Sequence, residues 1–257
     1  MPTPVYADHP FSLIESPLYR QKKESGNTDA DAILYCASEM CHIHGLIIRW
    51  LNSIYLQAPH IKPADEKPFL QYMAGWHQLI HLHHHEEEED FFPWVEELTG
   101  VKDIMEGNVQ QHQAFHGGLD KFITYVKDVQ AGKETYDGKK VVKIIDEFGA
   151  ILAQHLADEI PTLLGLKEYG EEKFKTMKER FDAMGQRSMA SCSFRILTAA
   201  FANIDVHFED DIWSQWPPAP GVVKFLIRNV SWKMNSDVTK FGAVDKSGKL
   251  QPLYAVA

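Results

Sequence analysis

Apolar residues recur at helical spacing along most of the chain. Ile33, Ala37, Met40, Ile47, Ile48, Leu51 and Tyr55, placed at about 100° per residue, gather on one side of a helix over residues 29–58. Pro59 stops it. A second pattern covers residues 67–92, with Phe69, Tyr72, Met73, Trp76, Leu79 and Ile80 on one face; Pro93 ends or bends it before Gly100. A third covers residues 101–130 and closes at Gly132, and a fourth covers residues 139–164 and closes at Gly165. Long helices joined by short loops pack as antiparallel neighbours, so the expected fold is all-α, a four-helix up-down bundle. Residues 168–202 predict a fifth helix, with a break at Gly185. WSQWPPAPG (213–221) reads as a turn, residues 222–234 as a short helix, and residues 235–257 as irregular. The expected division is an N-terminal arm over 1–29, the bundle over 30–166, and a helical and irregular C-terminal extension over 167–257 that packs on the bundle.

The polar residues are informative where they fall on apolar faces. His44 sits at the centre of the first stripe, whereas His42, about 160° round the helix, is expected in solvent. On the second helix His83/Glu87, His84/Glu88 and His85/Glu89 are all i,i+4 pairs, so each pair shares a face. With Phe91 and Trp94 included, the apolar direction runs between His83 and Glu87; His84 and Glu88 fall at the rim and His85 faces away. The third helix carries His112 and His116 on the side of Val101, Met105, Phe115, Leu119, Ile123 and Val126. The fourth carries His155 and Glu159 beside Val141, Ile144, Phe148, Ile151 and Leu152. Five imidazoles and two carboxylates are thus expected to face inward. Two carboxylates inside an apolar bundle cost several kcal/mol unless paired or metal-bound, and imidazole with carboxylate is a good ligand set for iron. A lone core histidine or one solvated His/Glu pair is an ordinary feature; three i,i+4 pairs and a single histidine, each on its own apolar stripe, are not.

Composition removes other chemistries. The chain has 257 residues, 44% hydrophobic, enough for one sizeable core. Its net charge of -10 repels phosphate backbones, so nucleic acid is not an expected partner. No apolar run reaches the ~18–20 residues of a membrane span, and residues 1–20 lack the form of a secretory signal; a cytoplasmic protein without membrane contact is expected. The three cysteines, Cys36, Cys41 and Cys192, include no CxxC and suggest neither a disulfide frame nor a thiolate zinc site. HExxH is absent, and the single ExxH, Glu39-x-x-His42, carries the outward histidine.

The order His44, His83-x-x-x-Glu87, His112-x-x-x-His116, His155-x-x-x-Glu159 resembles the hemerythrin-like (HHE cation-binding) family. HHHEEEEDFFP is similar to that family's second-helix motif, in which the ligand Glu lies six before the Pro, here Glu87. HGLIIRWLNSIYLQAPH, NVQQHQAFHGGL and the WSQWPP segment resemble long variants of the fungal type. The resemblance implies a diiron centre held by His44, His83, Glu87, His112, His116, His155 and Glu159, bridged by Glu87, Glu159 and an oxo or hydroxo group. His112, His116 and one further histidine would hold the fully coordinated iron, and the other iron would keep an open position. Hemerythrin proper has an Asp five after the last His, where this chain has Ile160. An apolar lining of Ile48, Leu51, Trp76, Phe115 and Ile151 is expected. Three functions then stand open. The first is binding of dioxygen or a similar small ligand, for carriage, storage or sensing. The second is a diiron oxygenase or oxidase whose organic substrate sits under the extension, walled by Trp213, Trp216 and Trp232. The third is an iron-dependent regulatory protein.

Overall fold

A computed structural model of the chain describes residues 3–256. Its elements begin with α1 (Pro17–Ser25) and α2 (Ala32–Gln57), followed by α3 (Glu66–Glu86) and α4 (Phe92–Thr99), then α5 (Glu106–Gln130), α6 (Gly138–Asp146) and α7 (Gly149–Gly165). α2, α3, α5 and α7 contact one another in a closed ring of four, the bundle. The extension supplies α8 (Met177–Ser191), packed on α2, and α9 (Phe194–Phe201), packed on α3; α10 (Gly221–Leu226) follows. The groove between α2 and α3 is therefore roofed by a second helical layer. Among the described residues there is no β-strand.

Side-chain caps set several of these boundaries. Asp31 accepts from the Leu34 amide at 2.8 Å and starts α2. Ser193 accepts from the Ile196 amide at 3.3 Å and starts α9, so the fifth helical stretch breaks at Cys192–Ser193 and not at Gly185. Residues 101–105 form a turn ahead of α5, with Asp103 at a left-handed φ of 59°. The fourth helix is broken between α6 and α7 at Phe148, whose φ is -133°. There the N-terminal arm docks: a Cβ on Gly149 would lie 2.3 Å from the Phe11 ring. Asn52 holds the same arm, accepting from the Phe11 amide at 3.0 Å and donating to the Ala7 and Phe11 carbonyls at 3.0 and 2.8 Å.

Large aromatic side chains fill the bundle core. Trp76 is fully buried, donates Nε1–H to the Ile47 carbonyl at 3.0 Å, and meets Phe122 and Phe148 with ring centroids 5.3 and 6.1 Å apart. Burying a large apolar side chain stabilises by about 1.5–3 kcal/mol. The extension is tied in by polar contacts as well. Ser53 donates to the Phe241 carbonyl at 2.5 Å, and the Tyr72 hydroxyl donates to Asn203 Oδ1 at 3.0 Å.

Two adjacent glycines on α5 provide a test of the packing. A Cβ on Gly117 meets nothing within 4 Å, whereas one on Gly118 would lie 2.5 Å from Phe148 Cβ. Gly117→Ala is expected to stabilise by roughly 0.4–1 kcal/mol, by reducing unfolded-state entropy. Gly118→Ala is expected to destabilise by about 1–3 kcal/mol through overpacking. Chemical denaturation of the two variants checks the sign.

Candidate metal centre

α3 does not stop before Pro93. It passes through one π-helical turn, Glu87–Phe91, in which the Phe92 amide bonds the Glu87 carbonyl five residues back, and continues as α4. Pro93 has no N–H to offer to a regular ladder, and single π turns are frequent at functional sites. Glu87, the first residue of that turn, is 1% exposed, with its carboxylate inside the bundle.

Two groups of potential ligands converge there. His84, His112 and His155, from α3, α5 and α7, bring ring nitrogens within 4.8 Å of one another; His44 of α2, His83 of α3 and a carboxylate oxygen of Glu87 in the π turn converge as closely. Within them His112 Nε2 lies 3.0 Å from His155 Nε2, and His44 Nε2 lies 3.2 Å from His83 Nε2. Glu87 spans both groups. Its Oε1 is 3.1 Å from His83 Nε2 and its Oε2 is 3.6 Å from His112 Nε2. Glu159 Oε2 stands 3.4 Å from His44 Nε2.

The outer sides of the rings determine what the inner sides offer. His44 Nδ1 donates to the Leu156 carbonyl at 2.7 Å, His155 Nδ1 to Gln111 Oε1 at 2.9 Å, and His112 Nδ1 to Glu88 Oε1 at 2.6 Å. A neutral imidazole that donates from Nδ1 has a bare lone pair on Nε2. His112 and His155 thus point two lone pairs at each other across 3.0 Å with no proton between them. His84 Nε2 and all four carboxylate oxygens of Glu87 and Glu159 are buried without a hydrogen bond. Buried polar atoms are rarely left unpaired; here five of them surround one small volume. The donor set and its outer hydrogen bonds match a metal site with oriented imidazoles.

Electrostatics agrees. Burial, reinforced by the neighbouring imidazoles, holds the His83 and His84 rings well below the ordinary histidine range. Burial also takes His155 down to about 3. Burial and then the facing Glu159 carboxylate push Glu87 well above the usual carboxylate range. Burial opposes ionisation of Glu159 as well, but the close His44 ring outweighs it and holds Glu159 below that range. Neutral imidazoles around one carboxylate that resists ionisation and one that favours it call for a cation between them.

A family model for the hemerythrin HHE cation-binding domain matches residues 39–166. The chain is also 32% identical over 252 residues to the "Dimeric xanthone biosynthesis cluster protein R11" of Cryptosporiopsis sp. (strain 8999), covering 96% of this chain and 91% of that one. This chain belongs to the hemerythrin HHE family. No solved structure gives a significant match.

In this hemerythrin HHE protein the structure brings together His44, His83, Glu87, His112, His155 and Glu159. It does not bring in His116, whose side chain is 69% exposed and paired with Asp120 on the surface. The buried side of α5 is set by Asn108, Phe115, Leu119, Phe122 and Val126, and His116 lies about 90° from their mean direction. Val101 and Met105, counted on the sequence stripe, precede the helix and carry no phase. In place of His116 stands His84, expected at the rim. Leu70 is buried on α3 while Leu79 faces a cavity; exchanging the two turns the apolar axis so that His83 and His84 flank it by about 50° each, with Glu87 near its centre. Glu88, expected at the rim with His84, holds His112. His42 is not solvated either. The extension covers that side of α2, placing Trp213 4.4 Å from the His42 ring and Glu209 3.8 Å from its Nε2.

Of the expected lining, Phe115 lies against His84 and His155 with centroids 5.2 and 5.4 Å apart. Ile48, Leu51 and Trp76 are buried in the bundle core, and Ile151 is on the surface at 45% exposure. The space beside the centre has different walls. A cavity of about 140 Å³ lies between α2, α3, α8, α9 and the Trp216-Pro217-Pro218 turn, with His83 and Glu87 on its wall. Trp216 lines it; Trp213 and Trp232 do not. Two signals in the sequence point to this cavity, the WSQWPP turn and the apolar residues of α8, but which helix face they roof is set by tertiary packing.

The buried rings predict acid lability of the metal-free protein. His42 and His155 are lowered to about 3 and His77 to about 4, with burial the main cause in each case. As pH falls below about 6.5 the unfolded chain takes up protons that these folded rings refuse, so stability falls with pH. Glu39, Glu86, Glu87 and Glu209, raised by burial, act in the opposite sense but are fewer than the five lowered histidines, which also include His83 and His84. Thermal melts of metal-free protein are expected to show a midpoint that drops progressively from pH 6.5 to pH 4; a flat profile contradicts the placement of the rings.

Proposed function

We propose that this protein holds two iron ions and is a non-haem diiron oxidoreductase that uses dioxygen on an apolar organic substrate. His84, His112 and His155 would hold one iron, His44 and His83 the other, with Glu87 and Glu159 between them. Two-His coordination leaves more of the second ion open for a small ligand. Such a pair supplies dioxygen binding and electrons when bound. The protein's own part is to orient the rings through Leu156, Gln111 and Glu88, to keep the imidazoles neutral, and to exclude water with Phe115 and the apolar walls. The observation that carries the enzyme reading is the cavity under the extension, which reaches His83 and Glu87, on the two-His side. The relative's name, which assigns it to dimeric xanthone biosynthesis, supports a biosynthetic role.

A second reading is reversible dioxygen binding, for carriage, storage or sensing. It is favoured by the neutral, water-excluding imidazole set, which adds little negative charge to stabilise highly oxidised iron.

Aerobically purified protein is expected to be coloured and to contain about two irons per chain. His84→Ala is expected to lower iron content severely, and His116→Ala to leave it unchanged, by metal analysis. Protein that takes up only zinc, or a single iron, defeats both readings. A diferrous sample mixed with oxygen separates them: a spectrum that reverts when the oxygen pressure is lowered means carriage, and oxygen consumed in step with an added organic substrate means an enzyme.

A further inference from the structure

α2 serves two compartments. His44 turns into the bundle, while Glu39, Ile43 and Leu46 line the cavity under α8 and α9. Glu39 is 4% exposed. Its Oε1 accepts the Trp216 Nε1–H at 3.1 Å, and its Oε2 is buried without any hydrogen bond. The other carboxylates and histidine on the cavity wall are committed. Glu86 accepts the Ser188 hydroxyl, and His83 and Glu87 belong to the candidate metal centre. Outside the candidate metal centre, Glu39 Oε2 is thus the carboxylate oxygen of a mostly apolar wall that is left without a partner, and buried polar atoms without partners are costly.

The walls describe the rest of the ligand. Phe181, Phe201 and Trp216 present rings, and Met40, Met184 and Met189 thioethers, side chains that pack well against a flat aromatic molecule. An apolar cavity of about 150 Å³ accepts a benzene ring, and this one measures about 140 Å³. No lysine or arginine lines it, so an anionic ligand would find no counter-charge. We propose that the cavity binds a neutral aromatic molecule bearing a hydroxyl group, a phenol, with the hydroxyl hydrogen-bonded to Glu39 Oε2. Burial pushes Glu39 up to about 7, and a hydroxyl, which both donates and accepts, pairs with that oxygen in either of its protonation states. The ring then lies beside His83 and Glu87, which names the substrate class for the oxidoreductase reading and rests on that reading for its consequence; binding itself does not.

The test compares 4-methylphenol with its near-isostere 1,4-dimethylbenzene, by calorimetry or quenching of tryptophan fluorescence on the full-length, metal-loaded protein. The phenol is expected to bind at least ~10-fold more tightly, the scale of one buried hydrogen bond. Glu39→Leu is expected to abolish that preference and Glu39→Gln to retain it, with iron content unchanged in both. Met184→Trp, which fills the cavity, is expected to lose both ligands. Equal binding of the two probes by the unaltered protein, binding of neither, or a preference that survives Glu39→Leu overturns the proposal. Iron analysis of the same samples separates the two claims. A phenol preference in protein that takes up no iron sinks the diiron reading and leaves the pocket, and full iron with no preference does the reverse.

Discussion

Lone pairs without protons are the constraint on which the centre of this molecule depends. An imidazole that gives its one N–H to an outward acceptor has only a lone pair to turn inward. His44, His112 and His155 each make that outward bond, to a main-chain carbonyl, a carboxylate and an amide oxygen. Add four carboxylate oxygens with no hydrogen bond and the interior of the bundle becomes a cage of electron donors. In water such groups would be solvated; in a closed bundle they are tolerable with a cation at their focus. That the chain belongs to a cation-binding family accords with this, and so does the way the helices are spent. α5 contributes Gln111 and His112 in succession, one as an orienting group and one as a candidate ligand. α3 and the π turn after it contribute seven consecutive histidines and glutamates, residues 83–89, some turned inward and others outward.

Much of this was legible along the chain because metal ligands on helices obey the same periodicity as the core. The helical class, the four long patterns, and six of the residues that converge follow from apolar stripes and i,i+4 spacing. What failed did so where periodicity is a weak instrument. His83 and His84 differ by about 100°, and both are within reach of a centre that lies on the axis between them; a stripe averaged over the wrong leucine chooses one and discards the other. His116 was lost for a related reason. Residues 101–105 look like part of α5 in sequence yet turn at Asp103, so their apolar side chains say nothing about its phase. His42 erred in another way. A helix wheel reports only which residues share a face, and the far face of α2 is buried by Trp213, Phe208 and Trp216, about 170 residues away in sequence.

That second covered face gives the extension its physical meaning. A four-helix bundle needs one apolar stripe per helix, but α2 is buried nearly all round: Ser38, Glu39, Arg49 and Asn52 are as enclosed as Ile47 and Leu51. The polar members of that set find partners in the arm or the extension. Asn52 bonds the arm, Arg49 faces Asp8 and Asp205, and Ser38 bonds the Leu18 amide at 2.9 Å. The N-terminal and C-terminal segments are in this sense a second half of the core, and α2 is the wall between the candidate centre and the compartment beneath α8 and α9.

The compartments are not equivalent in what they admit. Around His84, His112 and His155 the rings of Phe92 and Phe115 close in, with Phe92 at 6.0 Å from His112 and Phe115 at 5.2 Å from His84 between centroids, and three imidazoles already occupy that side. On the other side stand two imidazoles, and one of them, His83, forms part of the cavity wall together with Glu87. A small molecule and a larger apolar one can therefore approach the same pair of residues from the same compartment, while Phe92 and Phe115 pack against the three-histidine side. If the roof formed by Trp216, Pro217 and Pro218 were there only to shield the bundle, close packing against Ile43 and Leu79 would serve better than a void, since interiors pack to the density of organic crystals and voids forfeit contact energy. A cavity kept open beside Glu87, with the Glu39 Oε2 unpaired on its wall, is easier to account for as space reserved for an occupant.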